Sequence, residues 1–324
     1  MKKMNQKRDH DTAIFAVLLV CLLGFTSCPY QQPVLINCKD THIPPPATDT
    51  LLVYSDEQED TEVLQSEVYI VNYIPGRIEL PEIKNMQWFI QHLAYALEYD
   101  TAQRHSLWVA YKFYSDYNQK NCNRSDAWAF DPKIPKEFQS LNGPKQTFAY
   151  AGCDRGHLCA SEDRVFNLNA NQETFYYSNM SPQMSCFNQG IWKGLEEAVR
   201  KWAQGDDCDT LYVATGGAIN PDVETFGTLE DRNNVTIPKY YFKALVKRKG
   251  DTFDGIAFCL ENRCYTNEKG KNITKITHEY SMTIRELEEI TKINFFPYLR
   301  HVMPDNPMLE DEVETTLDIS KWPL

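Results

Sequence analysis

Asp154-Arg155-Gly156-His157-Leu158 and, further along, Asn188-Gln189-Gly190-Ile191-Trp192-Lys193-Gly194-Leu195-Glu196 are the two segments on which the reading of this chain turns. The first sets an orienting carboxylate, a planar fork of donors for phosphate oxygens and a ring that titrates near neutrality within four residues. The competing reading of the same tetrapeptide is a surface turn closed by Gly156 and carrying an ion pair. Around the second segment Ile191, Trp192, Leu195, Val199 and Trp202 recur at helical spacing, which predicts a helix over Ser185–Ala203. On that helix Asn188, Trp192 and Glu196 follow one another at i, i+4 and i+8 and project to one side. A neutral amide oxygen at Asn188 suits a hard cation that keeps most of its waters, and Glu196 is placed to orient one of them. Trp192 reads as core packing, and Glu196 has the alternative of a solvent-facing charge.

Working outward, short runs rich in β-branched and aromatic residues predict strands at Ser106–Tyr114, Thr210–Thr215, Tyr240–Val246 and Gly255–Cys259. Thr283-Ile284-Arg285-Glu286 has the form of a capping box, and Leu287 and Ile290 continue an apolar face to Thr291. Strands interrupted by a few helices indicate an α+β domain with a mixed, mainly antiparallel sheet. With 42 % hydrophobic and 12 % aromatic residues, the 324-residue chain can bury a sizeable core, which excludes a disordered or fibrous protein.

The ends read differently. Lys2, Lys3, Lys7 and Arg8 precede the apolar run Ala13 to Phe25, about thirteen residues and too short to span a bilayer, so residues 1–27 read as an export signal. Phe25-Thr26-Ser27-Cys28 is similar to a bacterial lipobox, with Cys28 as the lipid attachment point and the membrane as a partner; an ordinary cleaved signal is the alternative. The expected location is the outer membrane or cell surface, or otherwise the periplasm or medium. Residues 28–80, with Pro33, Pro44, Pro45, Pro46 and Pro75 and an acidic run, read as a tether, residues 81–305 as the domain, and residues 306–324 as an acidic C-terminal tail.

Charge argues partly against a nucleic-acid substrate. Removing residues 1–27 takes away four basic and two acidic side chains, so the formal charge moves from −12 to −14, whereas proteins that hold polyanions usually present a basic surface. Much of the acidity is segmental, and net charge bears on association more than on a site. Cys38, Cys122, Cys153, Cys159, Cys186, Cys208, Cys259 and Cys264 remain for an oxidising compartment, so several disulfides are expected, with pairing left open. Structural zinc is disfavoured, because Cys259 and Cys264 are too widely spaced and lack a partner pair.

The pattern Asp154-Arg155-Gly156-His157, then Asn179-Met180-Ser181-Pro182-Gln183, then Asn188-Gln189-Gly190 with Trp192 and Leu195-Glu196, resembles the DNA/RNA non-specific endonuclease family over roughly Ser106 to Leu299. The resemblance implies a ββα-metal core, a hairpin followed by a helix, holding one divalent ion, Mg2+ or Mn2+. By position, His157 corresponds to the general base, Asn188 to the metal ligand, Glu196 to a residue holding a metal-bound water, and Asn179 to a supporting residue. Arg155 and, within Asn123-Arg124-Ser125-Asp126-Ala127-Trp128, Arg124 correspond to phosphate contacts; Asp154 and Gln183 are further candidates for meeting substrate. Cys159 departs from the small apolar residues usual at that point, and a disulfide is expected there.

The implied activity is hydrolysis of DNA and RNA with little sequence preference, leaving 5′-phosphate ends, since a site of this kind touches phosphate and sugar rather than base edges. A homodimer is a partner the resemblance allows. Rival readings are a surface lipoprotein that binds nucleic acid without cutting it, and a narrower phosphodiesterase or nucleotidase on the same scaffold.

Overall fold

In a computed structural model, residues 74–141, 148, 152–230 and 233–324 are described, together with the backbone of one short strand pair near the start. The chain divides into two units, residues 1–71 and 72–324. Of the first, only the parallel pairing of Val34–Leu35 with Leu52–Val53 is described. The signal segment, Cys28, Cys38 and most of the tether lie outside the described residues.

The second unit is organised by a seven-stranded sheet. Its strands are β1 (Phe89–Gln91), β2 (Ala96–Asp100), β3 (His105–Tyr114), β6 (Thr210–Gly217), β9 (Tyr240–Lys249), β10 (Thr252–Glu261) and β11 (Ser281–Met282). β4 and β5 (Cys153–His157 and Met180–Met184) pair outside this sheet, as do β7 and β8 (Thr225–Leu229 and Val235–Pro238). The spatial order is β11-β10-β9-β6-β3-β2-β1, and every pairing in it is antiparallel. The expected mixed sheet is therefore wholly antiparallel, within the α+β class read from the sequence. The four predicted strands are present and run longer, because the polar ends of each run continue the ladder; β9 and β10 extend to the turn at Gly250, whose φ of 58° suits the first central position of a two-residue hairpin.

Side chains alternate between two buried faces. On β3, Val109, Tyr111 and Phe113 face one core, while Trp108 and Ala110 face the other; on β9, Tyr241 and Leu245 oppose Phe242, Ala244 and Val246. The first face is covered by Ile191, Trp192, Leu195, Val199 and Trp202 from the predicted helical stretch. The other is covered by α4 (Ile284–Thr291), which begins with the capping box Thr283–Glu286, and by α5 (Leu309–Thr315).

β3 and β6 are neighbours in the sheet although residues 115–209 separate them in sequence. That stretch is an excursion from the sheet, and it contains β4, α1 (Leu168–Glu173), β5, α2 (Ser185–Phe187) and α3 (Lys193–Ala203). β4 and β5 pair antiparallel, with Asp154 opposite Gln183 and His157 opposite Met180. The hairpin and the helix after it form the ββα unit.

Two domain limits differ from the sequence reading. Ile78 and Leu80, assigned to the tether, are buried in the core, so the folded unit begins before residue 81. The stretch 306–324 is not a solvated tail. Leu309 and Val313 bury one side of α5, Glu310 pairs with Arg300 and Glu314 with Arg285, and Trp322 is fully buried against Trp202, whose Nε1 donates to the Pro323 carbonyl at 2.7 Å. The acidic run thus forms a helix in which Glu310, Asp311 and Glu314 face arginines.

Candidate active site in the ββα unit

Asp154 leaves β4 pointing at the following helix. Its Oδ2 accepts from Asn188 Nδ2 at 2.9 Å and Gln189 Nε2 at 2.8 Å, and its Oδ1 from Ser185 Oγ at 2.7 Å. Burial pushes the carboxyl pKa up, but the Asn188, Gln189 and Ser185 donors outweigh it and hold the group below its ordinary value. With Nδ2 committed to Asp154, the carbonyl end of the Asn188 amide is turned away from that carboxylate. All three of these donors come from the turn that follows β5, so the Asp154 carboxylate is engaged by Asn188, Gln189 and Ser185.

The predicted helix is interrupted where Asn188 sits. Asn188–Trp192 forms a π-helical turn between α2 and α3, with Gly190 at φ −104°, ψ −116°. A Cβ there would lie 2.5 Å from Nδ2 of Asn272, so any larger residue would have to displace that side chain. Irregular turns of this kind are common at functional sites, where they re-aim a side chain. Asn272 donates to the Cys186 carbonyl at 2.6 Å, and Cys186 is joined to Cys264 by a disulfide. It is the one disulfide among the described residues; Cys122, Cys159, Cys208 and Cys259 are free thiols. Cys159, where a disulfide was expected, is instead a free thiol buried in the core.

His157, three residues beyond Asp154, is half-buried between aromatic rings, with centroids 5.6 Å from Trp128 and 4.9 Å from Phe175. Its Nε2 is buried and has no hydrogen-bond partner among the described residues. Burial, reinforced by the charges of Arg124 and Arg155, lowers its pKa to about 3. The imidazole is therefore neutral at physiological pH. Trp128 carries Arg155 over its face at 3.4 Å and has Arg124 at 5.9 Å; Arg124 also lies 4.7 Å from Phe175 and bonds Asp126 and Ser161. Both candidate phosphate ligands are thus gathered beside His157.

Asn179 is fully buried. It accepts from the Cys159 amide at 2.8 Å and donates to the carbonyls of Cys159 and Thr174, pinning the chain that leaves His157. Both hydrogens of its amide nitrogen are thus used within the protein. Gln183 is buried too, and its Oε1 would lie 2.0 Å from a Cβ at position 156. Gly156 is therefore a strand residue, not a turn, and makes room for Gln183, whose amide oxygen and nitrogen are buried with no hydrogen-bond partner among the described residues.

Glu196 is half-buried beside a group of charges the sequence reading did not assemble. Its pKa is raised to about 7, chiefly by burial and secondarily by Asp163, against the lowering effects of Lys243 and Arg200. Lys243 is fully buried in β9, with its Nζ 4.7 Å from the Trp192 ring and 3.2 Å from Thr215 Oγ1. Arg200 pairs with Asp163 at 2.9 Å, and Asp163 also accepts from Tyr111 Oη at 3.0 Å. The lysine was visible as the one charge inside the apolar run Tyr241-Phe242-Lys243-Ala244-Leu245, and Arg200 lies one helical turn beyond Glu196. Trp192 is core packing, as expected.

A family model described as DNA/RNA non-specific endonuclease matches residues 82–301. The chain is similar to the mouse protein "Nuclease EXOG, mitochondrial", 26 % identical over 220 residues, or 63 % of this chain and 56 % of that one. It is 27 % identical over 179 residues to bovine "Endonuclease G, mitochondrial", covering 53 % of this chain and 58 % of the relative. "Nuclease C1" of Cunninghamella echinulata var. echinulata is 26 % identical over 224 residues, 65 % of this chain and 83 % of that protein. The chain therefore spans little more than half the length of the mammalian relatives. In fold it is similar to a chain of the EndoG/EndoGI complex, with a TM-score of 0.55 and 24 % identity over 65 % of this chain and 86 % of that one. With the family model covering most of the folded unit, the chain belongs to the DNA/RNA non-specific endonuclease family.

Proposed function

We propose that this protein is an exported, metal-dependent endonuclease that hydrolyses the phosphodiester bonds of DNA and RNA with little sequence preference and leaves 5′-phosphate ends. The observation that carries this reading is the Asp154–Asn188 bond at 2.9 Å beside a neutral histidine and two arginines.

The donors fit the divalent ion that the family generally uses. A single neutral amide oxygen, held in place from behind by a carboxylate, suits magnesium or manganese that keeps most of its waters. Asn188 would hold the ion, and Glu196 would hold one of its waters. When bound, the ion supplies positive charge that stabilises the phosphate and the leaving sugar oxygen.

His157 acts as general base through Nδ1, because Nε2 is buried away from water. Water loses its proton to Nδ1 and attacks phosphorus in line with the leaving oxygen. Arg155 and Arg124, which lie over the rings of Trp128 and Phe175, hold the phosphate oxygens with charged hydrogen bonds.

Export is supported by the basic and apolar start of the chain and by the Cys186–Cys264 bridge, since disulfides persist in oxidising compartments. Lipid attachment at Cys28 goes with it. Quenched DNA and RNA substrates, incubated with magnesium or with chelator, test the activity. Cleavage of both that chelator abolishes is expected; binding without cleavage would overturn the reading.

A further inference from the structure

An acidic protein that holds polyanions needs a local basic surface, and the described residues offer a marked one. Between Asn262 and His278 the chain carries Arg263, Lys269, Lys271 and Lys275 against the single acid Glu268, in a protein of net charge −12. All four basic side chains are exposed. Arg263 is partly spent on Glu261 at 3.0 Å and on the Tyr265 ring at 4.2 Å. Lys269, Lys271 and Lys275 make no ion pair among the described residues, whereas Lys120, Lys193, Lys239, Lys247 and Lys249 each face a carboxylate.

The segment is also fixed against the Asn188 turn. Cys264 is bonded to Cys186 with the Cα atoms 5.1 Å apart, Asn272 donates to the Cys186 carbonyl, and the Thr274 carbonyl lies where a Cβ on Gly194 would come within 2.3 Å. Asn267 Oδ1 accepts from the amides of Lys269 and Lys271, and Ile276 is buried in the core. Asn188 is two residues from Cys186, so the Cα of Cys264 lies within about 12 Å of that of Asn188. A duplex carries a phosphate charge every ~1.7 Å of its axis, so a bound nucleic acid has several phosphates within that distance of the bond being cut.

We propose that the loop 263–275 is a docking surface for the sugar–phosphate backbone flanking the cleavage point, with Lys269, Lys271 and Lys275 as its contacts. The proposal rests on the nuclease reading of the site. It accounts for how a chain of this net charge engages a polyanion, and it predicts that the loop acts on long substrates and not on the chemical step.

The test compares the full chain with a K269Q/K271Q/K275Q variant. Binding of a labelled duplex about two helical turns long is read by anisotropy in chelator, so that no cleavage is needed, across a range of potassium chloride. The variant should bind about tenfold or more weakly at low salt, and the log–log slope of affinity against salt should become shallower by about 0.9 for each lysine that meets a phosphate. Its thermal midpoint and its magnesium-dependent kcat on a short quenched substrate should match the parent. An unchanged affinity and salt slope would overturn the docking surface, even if the parent cleaves DNA. Failure of the parent to cleave any substrate would count against the nuclease reading while leaving the salt slope to decide the loop.

Discussion

Replacing Asp154 with alanine removes the carboxylate that accepts from the Asn188 amide. The carboxylate accepts three hydrogen bonds at 2.7 to 2.9 Å, of which only that from Asn188 bears on the ion. A hydrogen bond to a charged group contributes roughly 1.5–3 kcal/mol, and losing it lets the amide turn so that its nitrogen faces the ion for part of the time. At ~1.4 kcal/mol per factor of ten, the magnesium concentration for half-maximal cleavage should rise about ten- to hundredfold, the range typical of groups that orient metal ligands. At saturating magnesium kcat should fall much less, because His157, Arg155 and Arg124 are untouched. The assay is a magnesium titration of cleavage on quenched duplex DNA and on RNA, with the melting temperature as a control for folding. If half-saturation stays within about threefold of the parent while kcat collapses, Asp154 acts on the substrate and the orienting role is wrong.

Other consequences follow from packing and charge. Gly194→Ala would set a Cβ 2.3 Å from the Thr274 carbonyl, a backbone atom that cannot swing aside; a loss of about 1–3 kcal/mol is expected in denaturant unfolding, and no loss would mean the loop does not press on the helix. Trp322→Ala removes a fully buried ring packed on Trp202 and should cost about 3–5 kcal/mol, an effect that a solvated tail would not show. Glu314 and Glu288 have pKa values raised to about 8 and about 7, in both cases chiefly by burial, although Arg285 lies 2.6 Å from Glu314. We take the direction as upward, because Glu288 and Glu310 are crowded beside Glu314 and repel its charge. The folded state then binds more protons than the unfolded state between about pH 4.5 and 8, so stability is greatest at the acid end of that window and falls as pH rises through it. Glu314→Gln should flatten this fall in melting temperature between pH 5 and pH 8; an unchanged slope would remove Glu314 as its cause.

The parts legible in the sequence were those with a simple period or a local motif. The long strands β3, β6, β9 and β10 announce themselves through β-branched and aromatic runs, and the capping box at Thr283 is local by nature. β4 and β5 do not, because Asp154, Arg155 and His157 replace the apolar alternation that marks a strand. The π turn at Asn188 was hidden because Asn272, whose side chain packs closely on Gly190, lies 82 residues further along. The same holds for the aromatic cradle of Trp128 and Phe175, and for Lys243 beneath Trp192: each is a meeting of distant segments that no local pattern records. Composition misled at the C-terminus, where Leu309, Val313 and Trp322 decide the outcome against four carboxylates in a row of five residues.

The most direct measurement is a single magnesium titration of DNA and RNA cleavage by the parent, His157→Ala and Asn188→Ala. With a general base at His157 and the ion held at Asn188, the histidine variant should lose about 100-fold or more in kcat with an unshifted magnesium midpoint. The asparagine variant should need far more magnesium. Undiminished cleavage by His157→Ala, or an unshifted midpoint in Asn188→Ala, would contradict the account.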